Sequence, residues 1–163
     1  MDGKLDFDAV TQRNGVRAGG TVKILLTGYR FDTIGGLEIV SSNIARALVN
    51  LGHDVRCASV HDRRTVAKDG YTIVGTLPRG RIAGSLAARS RRFYPLRRFK
   101  ELVAWADLVI ACHCHTLPWV MSAMPGGRRR PPVVAWLHGR EVWGGLGRSI
   151  ADHLRAADRL VAV

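Results

Sequence analysis

Three groups of residues in this sequence have types and spacings that could do chemistry. Gly35 and Gly36 stand together before a long amphipathic stretch, residues 112–115 read CHCH, and His138 follows the apolar run VVAWL. Glycines at the start of a helix let backbone N–H groups approach a phosphate, and cysteine and histidine are metal ligands. An imidazole can orient a hydroxyl or stabilise developing charge near neutral pH. Which of these chemistries is possible depends on where the predicted strands and helices place these residues.

The elements alternate between strand and helix. Short apolar runs predict strands, and apolar residues at helical spacing from Leu37 to Leu51 predict a helix that Gly52 ends. The predicted strands are Val22–Gly28, Asp54–Val60, Tyr71–Leu77, Ala106–Cys112, Val133–Gly139 and a sixth from Arg159. We therefore expect an α/β, Rossmann-like, doubly wound and mainly parallel sheet of about six strands, with helices on both faces.

Two details complete this arrangement. HDRRTVAKDG reads as a polar loop, and the strand Tyr71–Leu77 that follows it is expected at an edge of the sheet. Further along, the sequence predicts two helical pieces divided at Pro95. The second piece carries apolar side chains on one face: Leu96, Phe99, Leu102 and Val103.

Length and composition indicate one globular domain. Of the 163 residues, 1–20 are polar and lack the apolar core of a secretory signal, so we expect a disordered leader and a domain over 21–163. No run approaches the ~20 apolar residues of a membrane span. The three cysteines are an odd number, and two of them are too close together to indicate a disulfide framework. This usage favours a reducing, cytoplasmic setting.

The formal net charge of +12 is unevenly distributed. Arg79–Lys100 holds eight basic residues and no acidic one. Such a field attracts nucleic acid, an anionic membrane surface or an acidic substrate, and the alternative is a solvated basic face. Aromatic residues interleaved with these arginines suit an interfacial helix on anionic lipid at the inner membrane face. The alternative is that the same apolar face packs on the sheet.

The glycine pair lies where open parallel sheets bind ligands, beyond the carboxyl end of a strand and at the start of a helix. There Gly35 and Gly36 would accept a positive φ and let a phosphate approach; alternatively, the strand-to-helix turn simply favours glycine. The gap from Gly28 to Gly35 is too long for a G-x-G-x-x-G fingerprint, and no Lys-Ser/Thr follows as in a P-loop.

Four segments in the same order carry a shared pattern. GGLEIVSSNIARALVNLGHDV contains the glycine pair, Glu38 two positions on, and a helix ending in Leu-Gly-His before Asp54. WADLVIACHCH has an aspartate, an apolar strand and a histidine-containing end; VVAWLHGRE ends a strand in His-Gly; AADRLVAV begins the last strand. Between Val22 and Val163 the chain thus resembles the N-terminal domain of family-four retaining glycosyltransferases, which have the two-domain GT-B fold.

The resemblance implies transfer of a sugar from a nucleotide-sugar donor to an acceptor, with no separate cofactor. Gly35 and Gly36 would line the cleft near the donor diphosphate. His138 would act as the catalytic residue at the sugar or reaction centre, or else only satisfy a local backbone group. Either His113 or His115 would take the family's histidine position.

The resemblance leaves three charged residues with weaker assignments. Glu38 would favour the helix N-terminus by its charge or hydrogen-bond loop amides. Arg140 and Glu141 could touch a phosphate or the acceptor.

The CHCH run is predicted not to bind a metal. Alternate residues of a strand point to opposite faces, so adjacent cysteine and histidine side chains would not converge on one ion. No second Cys/His pair lies at the usual zinc spacing.

The chain also departs from the family pattern. No stretch supplies the paired glutamates, or the lysine and arginine, that hold the donor. We therefore expect an acceptor-side half that does not turn over alone: a fragment, a truncated gene product, or a subunit awaiting a partner. The first alternative function is a stand-alone Rossmann-like module for a phosphorylated ligand. The second is a basic nucleic-acid-binding protein, although no specific nucleic-acid-binding motif is present.

Overall fold

One seven-stranded sheet organises the protein. The computed structural model describes residues 20–31, 35–62, 64–76, 94–126, 130–139, 145 and 147–162. The strands are β1 (Lys23–Gly28), β2 (Asp54–Ser59), β3 (Val66–Lys68), β4 (Tyr71–Gly75), β5 (Leu108–Ala111), β6 (Val133–Leu137) and β7 (Arg159–Ala162). Their order across the sheet is β3-β4-β2-β1-β5-β6-β7. All pairings are parallel except the antiparallel pairing of β3 with β4.

Four helices and one short turn connect the strands in the described ranges. They are α1 (Gly36–Asn50), α2 (Tyr94–Trp105), a 3-10 turn (Cys114–Thr116), α3 (Leu117–Ala123) and α4 (Arg148–Arg155). Helix α1 ends where Gly52 adopts φ +87°, and the N–H of His53 returns to the carbonyl of Leu48. This is the expected glycine stop, because a left-handed residue is strained with any larger side chain.

The core lies on both faces of the central strand β1. Ile24 and Leu26 point to one face, where Ala45 and Leu48 of α1 cover them. Leu25 points to the other face, which buries side chains of the remaining helices: Phe99, Leu102, Val103, Leu117, Val120 and Leu154. Successive side chains of β1 therefore pack into the cores on opposite faces of the sheet, which is why the strand is apolar without alternation.

The predicted architecture is confirmed, including helices on both faces, with two corrections. HDRRTVAKDG is not only a loop, because it contains β3. Consequently β4 is not an edge strand. The first of the two helical pieces predicted around Pro95 lies outside the described residues; the second is α2, with Pro95 in its first turn, where its missing N–H removes no helical hydrogen bond.

The described part of the basic segment uses its apolar face inside the protein. Phe99 is fully buried, and Leu96 packs against the same core. At the end of α2, the Trp105 ring stacks with the Arg56 guanidinium, whose carbon lies 4.0 Å from the ring centre. This matches the packed alternative for residues 94–105, while residues 77–93 lie outside the described ranges.

Other sequence predictions also fall outside the described ranges or remain open. The leader over residues 1–19, Arg140 and Glu141 are among the residues on which the structure is silent. Within the described ranges, every helix is too short or too polar to cross a bilayer.

Candidate functional site

The carboxyl ends of four neighbouring strands bring the candidate residues to one edge of the sheet. Tyr29 follows β1, His61 lies just beyond β2, His113 follows β5 and His138 follows β6. In the order β2-β1-β5-β6, all four strands are parallel and end at the same edge. At ~4.8 Å per strand, β1 and β6 are about 10 Å apart.

The segment after β1 is anchored to the end of β2. The carbonyl of Tyr29 accepts hydrogen bonds from the Ser59 hydroxyl (2.9 Å) and from the N–H of His61 (2.9 Å). The Phe31 ring folds back to lie 3.1 Å from the position that a Cβ on Gly28 would occupy. Buried Phe31 therefore closes the loop onto the core, and the loop presents Tyr29 at the edge.

Tyr29 lies between two histidines. Its ring centre is 4.1 Å from that of His113 and 5.2 Å from that of His61. The ring of His113 is in turn 5.2 Å from that of His115. The end of the sheet thus carries a row of three imidazoles and one phenol, a surface that can donate and accept hydrogen bonds to a hydroxylated ligand.

Neither glycine of the pair is required by a left-handed backbone. Gly35 is the N-cap of α1 with φ −156° and ψ 160°, an extended conformation open to other residues. Gly36 begins the helix and does not have a positive φ. The expectation that the pair accepts a positive φ is therefore wrong. The other part of that expectation, that the pair lets a phosphate approach, depends on the space around the two glycines.

The two glycines differ in the space around them. A Cβ on Gly36 would meet no atom within 4 Å, so its surroundings are open. A Cβ on Gly35 would collide with the carboxylate of Glu38, which folds back over the N-cap. Glu38 is the acidic residue of the first turn, where its charge complements the helix dipole. That placement is compatible with the first predicted role of Glu38, in which its charge favours the N-terminus of the helix.

The CHCH run does not continue the strand. Strand β5 ends at Ala111, and Cys114–Thr116 form one 3-10 turn capped by His113. The hydroxyl of Thr116 donates to the carbonyl of His113 (2.8 Å), so it accepts from the hydroxyl of Thr27, 2.7 Å away and buried. One of the two reasons for the prediction against a metal site was strand alternation, and this reason fails because residues 114–116 lie in a turn.

His138 has an unpaired ring nitrogen in the described structure. Its Nε2 is buried without a hydrogen-bond partner, and so is the indole Nε1 of Trp136 two residues earlier. His138 directly follows β6, two positions after Trp136. Two other buried polar atoms, His53 Nδ1 and the Tyr71 hydroxyl, also lack a partner in the described structure, so the pair at β6 is distinguished by its place at the carboxyl edge. Buried polar atoms are normally paired, so these two ring nitrogens indicate a partner outside the described ranges of the chain.

Sequence reasoning named His138, His113, His115 and the glycine pair, and all of them lie beyond carboxyl ends of parallel strands. It missed Tyr29, His61 and Trp136. Tyr29 and His61 were visible as polar residues directly after two predicted strands. Trp136 gave no signal, because an aromatic residue inside an apolar strand is usually core.

Cys57, buried in β2, is not a reactive group. Burial, and to a lesser degree the thiol of Cys112, raises the pKa of the Cys57 thiol well above its usual value. Cys57 therefore remains a neutral thiol at physiological pH.

The fold and this edge define a Rossmann-like α/β domain whose candidate ligand site lies at the carboxyl ends of its strands. The model of the family described as Glycosyltransferase Family 4 matches residues 34–163, and the chain belongs to this family. The chain is also similar to a solved alpha-glucosyltransferase in complex with UDP and a 13-mer DNA containing a HMU base.

That likeness has a TM-score of 0.55 at 16% identity and confirms the fold. It covers 88% of this chain and 38% of the glucosyltransferase, so the chain spans well under half of that protein. A comparison with curated proteins finds no match.

Proposed function

We propose that this chain is the acceptor-binding domain of a glycosyltransferase that moves a sugar from a nucleotide-sugar to an acceptor. Family membership over residues 34–163 supports the reaction class. The observation that carries the assignment of the site is the pair of orphaned ring nitrogens on His138 and Trp136 at the carboxyl edge. A hydroxylated ligand would satisfy both, since sugars offer many donors and acceptors in a small volume.

His138 is the proposed catalytic residue. An imidazole at this place can hydrogen-bond a hydroxyl of the transferred sugar and stabilise the positive charge that develops as the diphosphate leaves. The indole N–H of Trp136 would only donate, so it would orient the same ligand through an acceptor oxygen. His113 and His115 would contact the acceptor, together with Arg140 and Glu141.

Gly35 and Gly36 are proposed to lie near the donor diphosphate. The open space beside Gly36 leaves the first turn of α1 accessible, and a helix N-terminus favours an anion. The carboxylate of Glu38, in the same turn, occupies the space over Gly35, so the diphosphate would reach the helix N-terminus from the open side of Gly36.

We further propose that these 163 residues bind ligand but do not transfer sugar alone. Stabilising the transition state requires groups on both sides of the departing diphosphate. The chain matches 38% of the solved glucosyltransferase, which supports a second set of groups outside this sequence. The nucleotide, the sugar and the acceptor are left open, and a cytoplasmic reaction in glycan synthesis is the proposed setting.

The test follows the indole N–H signals of the chain by NMR. Nucleotide-sugars, free sugars and sugar phosphates are titrated into the full chain, with Trp136→Phe used to assign the Trp136 signal. Trp105 is the internal control, because it ends α2 just before β5 and so lies at the opposite edge of the sheet. At least one ligand should shift the Trp136 signal and leave that of Trp105 in place.

His138→Ala should weaken this binding by about tenfold or more, since a hydrogen bond to a buried site is worth about 1.5 kcal/mol or more when its partner is left unpaired. Absence of any shift at Trp136 across the panel would contradict the proposal. Phosphate binding that shifts Gly36 and is unchanged in His138→Ala would favour the phospholigand module. Salt-dependent binding of arbitrary DNA alone would favour the nucleic-acid alternative.

A further inference from the structure

Three potential metal ligands converge in the turn after β5. One ligand atom each of His113, Cys114 and His115 lies within 4.8 Å of the other two. His115 is exposed, His113 is half-buried and Cys114 is fully buried. The cluster therefore has one side open to solvent and one side closed by protein.

The turn that makes this cluster is held in place by the core of the sheet. Thr116 bonds back to His113 through both its N–H (3.0 Å) and its hydroxyl, and Thr27 of β1 fixes that hydroxyl. Leu117 and Val120 then begin α3 inside the core. The backbone that carries the three side chains is thus positioned before any ligand binds, which lowers the entropic cost of assembling a site.

We propose that His113, Cys114 and His115 bind one borderline-soft divalent ion of the Zn²⁺ type. Two imidazoles and one thiolate are ligands that such ions prefer over Mg²⁺ or Ca²⁺. Three protein ligands leave the fourth tetrahedral position open on the side of exposed His115. This inference does not depend on the proposed glycosyl transfer, and it assigns His113 and His115 to the ion instead of to direct contact with the acceptor.

Small movements would complete the coordination. Zn–N bonds of ~2.1 Å and Zn–S bonds of ~2.3 Å place tetrahedral ligand atoms about 3.3–3.6 Å apart, so the present group needs to contract by about 1 Å. The Nδ1 of His113 now accepts a long hydrogen bond from the N–H of His115 (3.3 Å). The ion would replace this bond, because a neutral imidazole has a single acceptor nitrogen.

Binding changes the protonation of one group. Cys114 binds as a thiolate, so its S–H proton passes to solvent as the S–Zn bond forms, and both imidazoles bind neutral. The positive ion supplies the charge partner that a buried thiolate needs.

The experiment uses Co²⁺ as a spectroscopic probe on the full chain after removal of metals with a chelator. A tetrahedral site with one thiolate gives visible d–d bands and a near-ultraviolet thiolate-to-cobalt charge-transfer band. Zn²⁺ should then displace Co²⁺ and abolish both, and Zn²⁺ should raise the melting temperature. Mg²⁺ should do neither.

Variants separate this site from adventitious binding. His115→Ala removes an exposed ligand with little risk to folding and should weaken Co²⁺ binding by at least about tenfold, since losing even an outer-shell partner typically costs that much. Cys114→Ser should abolish the charge-transfer band. His61→Ala is the matched control and should leave spectrum and affinity unchanged.

The inference is overturned by Co²⁺ spectra without a thiolate band, or by equal binding in the chain and in His115→Ala. It is also overturned if His61→Ala weakens binding as much as His115→Ala does. If Cys114→Ser fails to fold, the His115→Ala and His61→Ala pair decides the question alone.

Discussion

The two edges of the same sheet use different polar residues. At the amino edge, Asp107 accepts a hydrogen bond from the N–H of Lys23 (3.0 Å), and Asp158 accepts one from the N–H of Val133 (2.8 Å). At the carboxyl edge, ring nitrogens of Trp136 and His138 are buried without partners in the described structure. Two buried polar atoms near the starts of strands, His53 Nδ1 and the Tyr71 hydroxyl, also lack partners there, so the comparison rests on the paired aspartates of one edge and the ring side chains of the other.

This difference assigns roles to the motifs of the sequence. The aspartates in WADLVIACHCH and AADRLVAV each join the start of one strand to its neighbour, so their work is structural. The histidines in the same family pattern follow strands and lie at the edge where parallel sheets bind ligands. A motif that spans a whole strand therefore combines a residue for folding with a residue for binding.

The largest expected effect is at the amino edge. Asp158→Ala removes the acceptor of the Val133 N–H and the two-pronged pair with Arg130 (2.9 and 3.0 Å). We expect a loss of about 2 kcal/mol in the free energy of unfolding, mostly from the charged hydrogen bond, since a half-exposed ion pair adds little. Urea unfolding measures it.

Asp152→Ala is the matched control for Asp158→Ala. Asp152 pairs with Arg155 (2.7 Å) on exposed α4, and its loss should cost at most about 0.5 kcal/mol. Equal effects of the two substitutions would contradict the structural role of the amino edge. Ligand binding at the carboxyl edge should be the same in both variants.

A smaller effect is expected between the edges, at Cys57. Because burial raises the pKa of this thiol, the folded chain keeps its proton while the unfolded chain releases it above pH ~8.5. The unfolded state then binds fewer protons, so the stabilising contribution is complete below that pH and is lost as pH rises toward the folded pKa. The titration of this one thiol can lower the free energy of unfolding by at most about 1.4 kcal/mol per pH unit.

Cys57→Ala isolates this contribution. The variant should be less stable at pH 7 because of its smaller side chain, but its stability should fall less steeply between pH 8 and pH 10 than that of the parent chain. Unfolding curves at several pH values compare the slopes. Parallel slopes would show that the Cys57 thiol titrates alike in both states.

The fold was predictable where sequence patterns are long. Helix α1 offered fifteen residues of periodic pattern and a glycine stop, and the central strands β1, β5 and β6 were short, largely apolar runs. Strand β3 was missed because three residues are too few for a period. Its signal lay in the turn: Asp69 (φ 48°) and Gly70 (φ 83°) form the Asp-Gly connection typical of a two-residue hairpin.

The site was predictable only in part. The histidines were found because they follow strands, a local feature. The geometry of the 113–116 turn was not predictable, because the turn is held by a buried hydrogen bond between Thr27 and Thr116, which are 89 positions apart in the sequence. The sequence of CHCH alone fits a strand equally well, so the convergence of its side chains is a tertiary property.

The smallest change in stability is expected for Trp136→Phe, and it gives the sharpest comparison between the two edges of the sheet. Trp136→Phe removes a buried N–H that has no partner among the described residues while keeping an aromatic ring in the strand. Because nothing bonded is lost, we expect the free energy of unfolding to change by no more than about 0.5 kcal/mol, and a gain would be understandable, since an unpaired buried donor costs about 1–3 kcal/mol. Urea unfolding of this variant beside Asp158→Ala compares the two edges directly. A large loss of stability in Trp136→Phe would mean that the indole N–H is already bonded inside the protein. Unchanged stability together with weakened ligand binding would separate binding from folding at a single nitrogen atom.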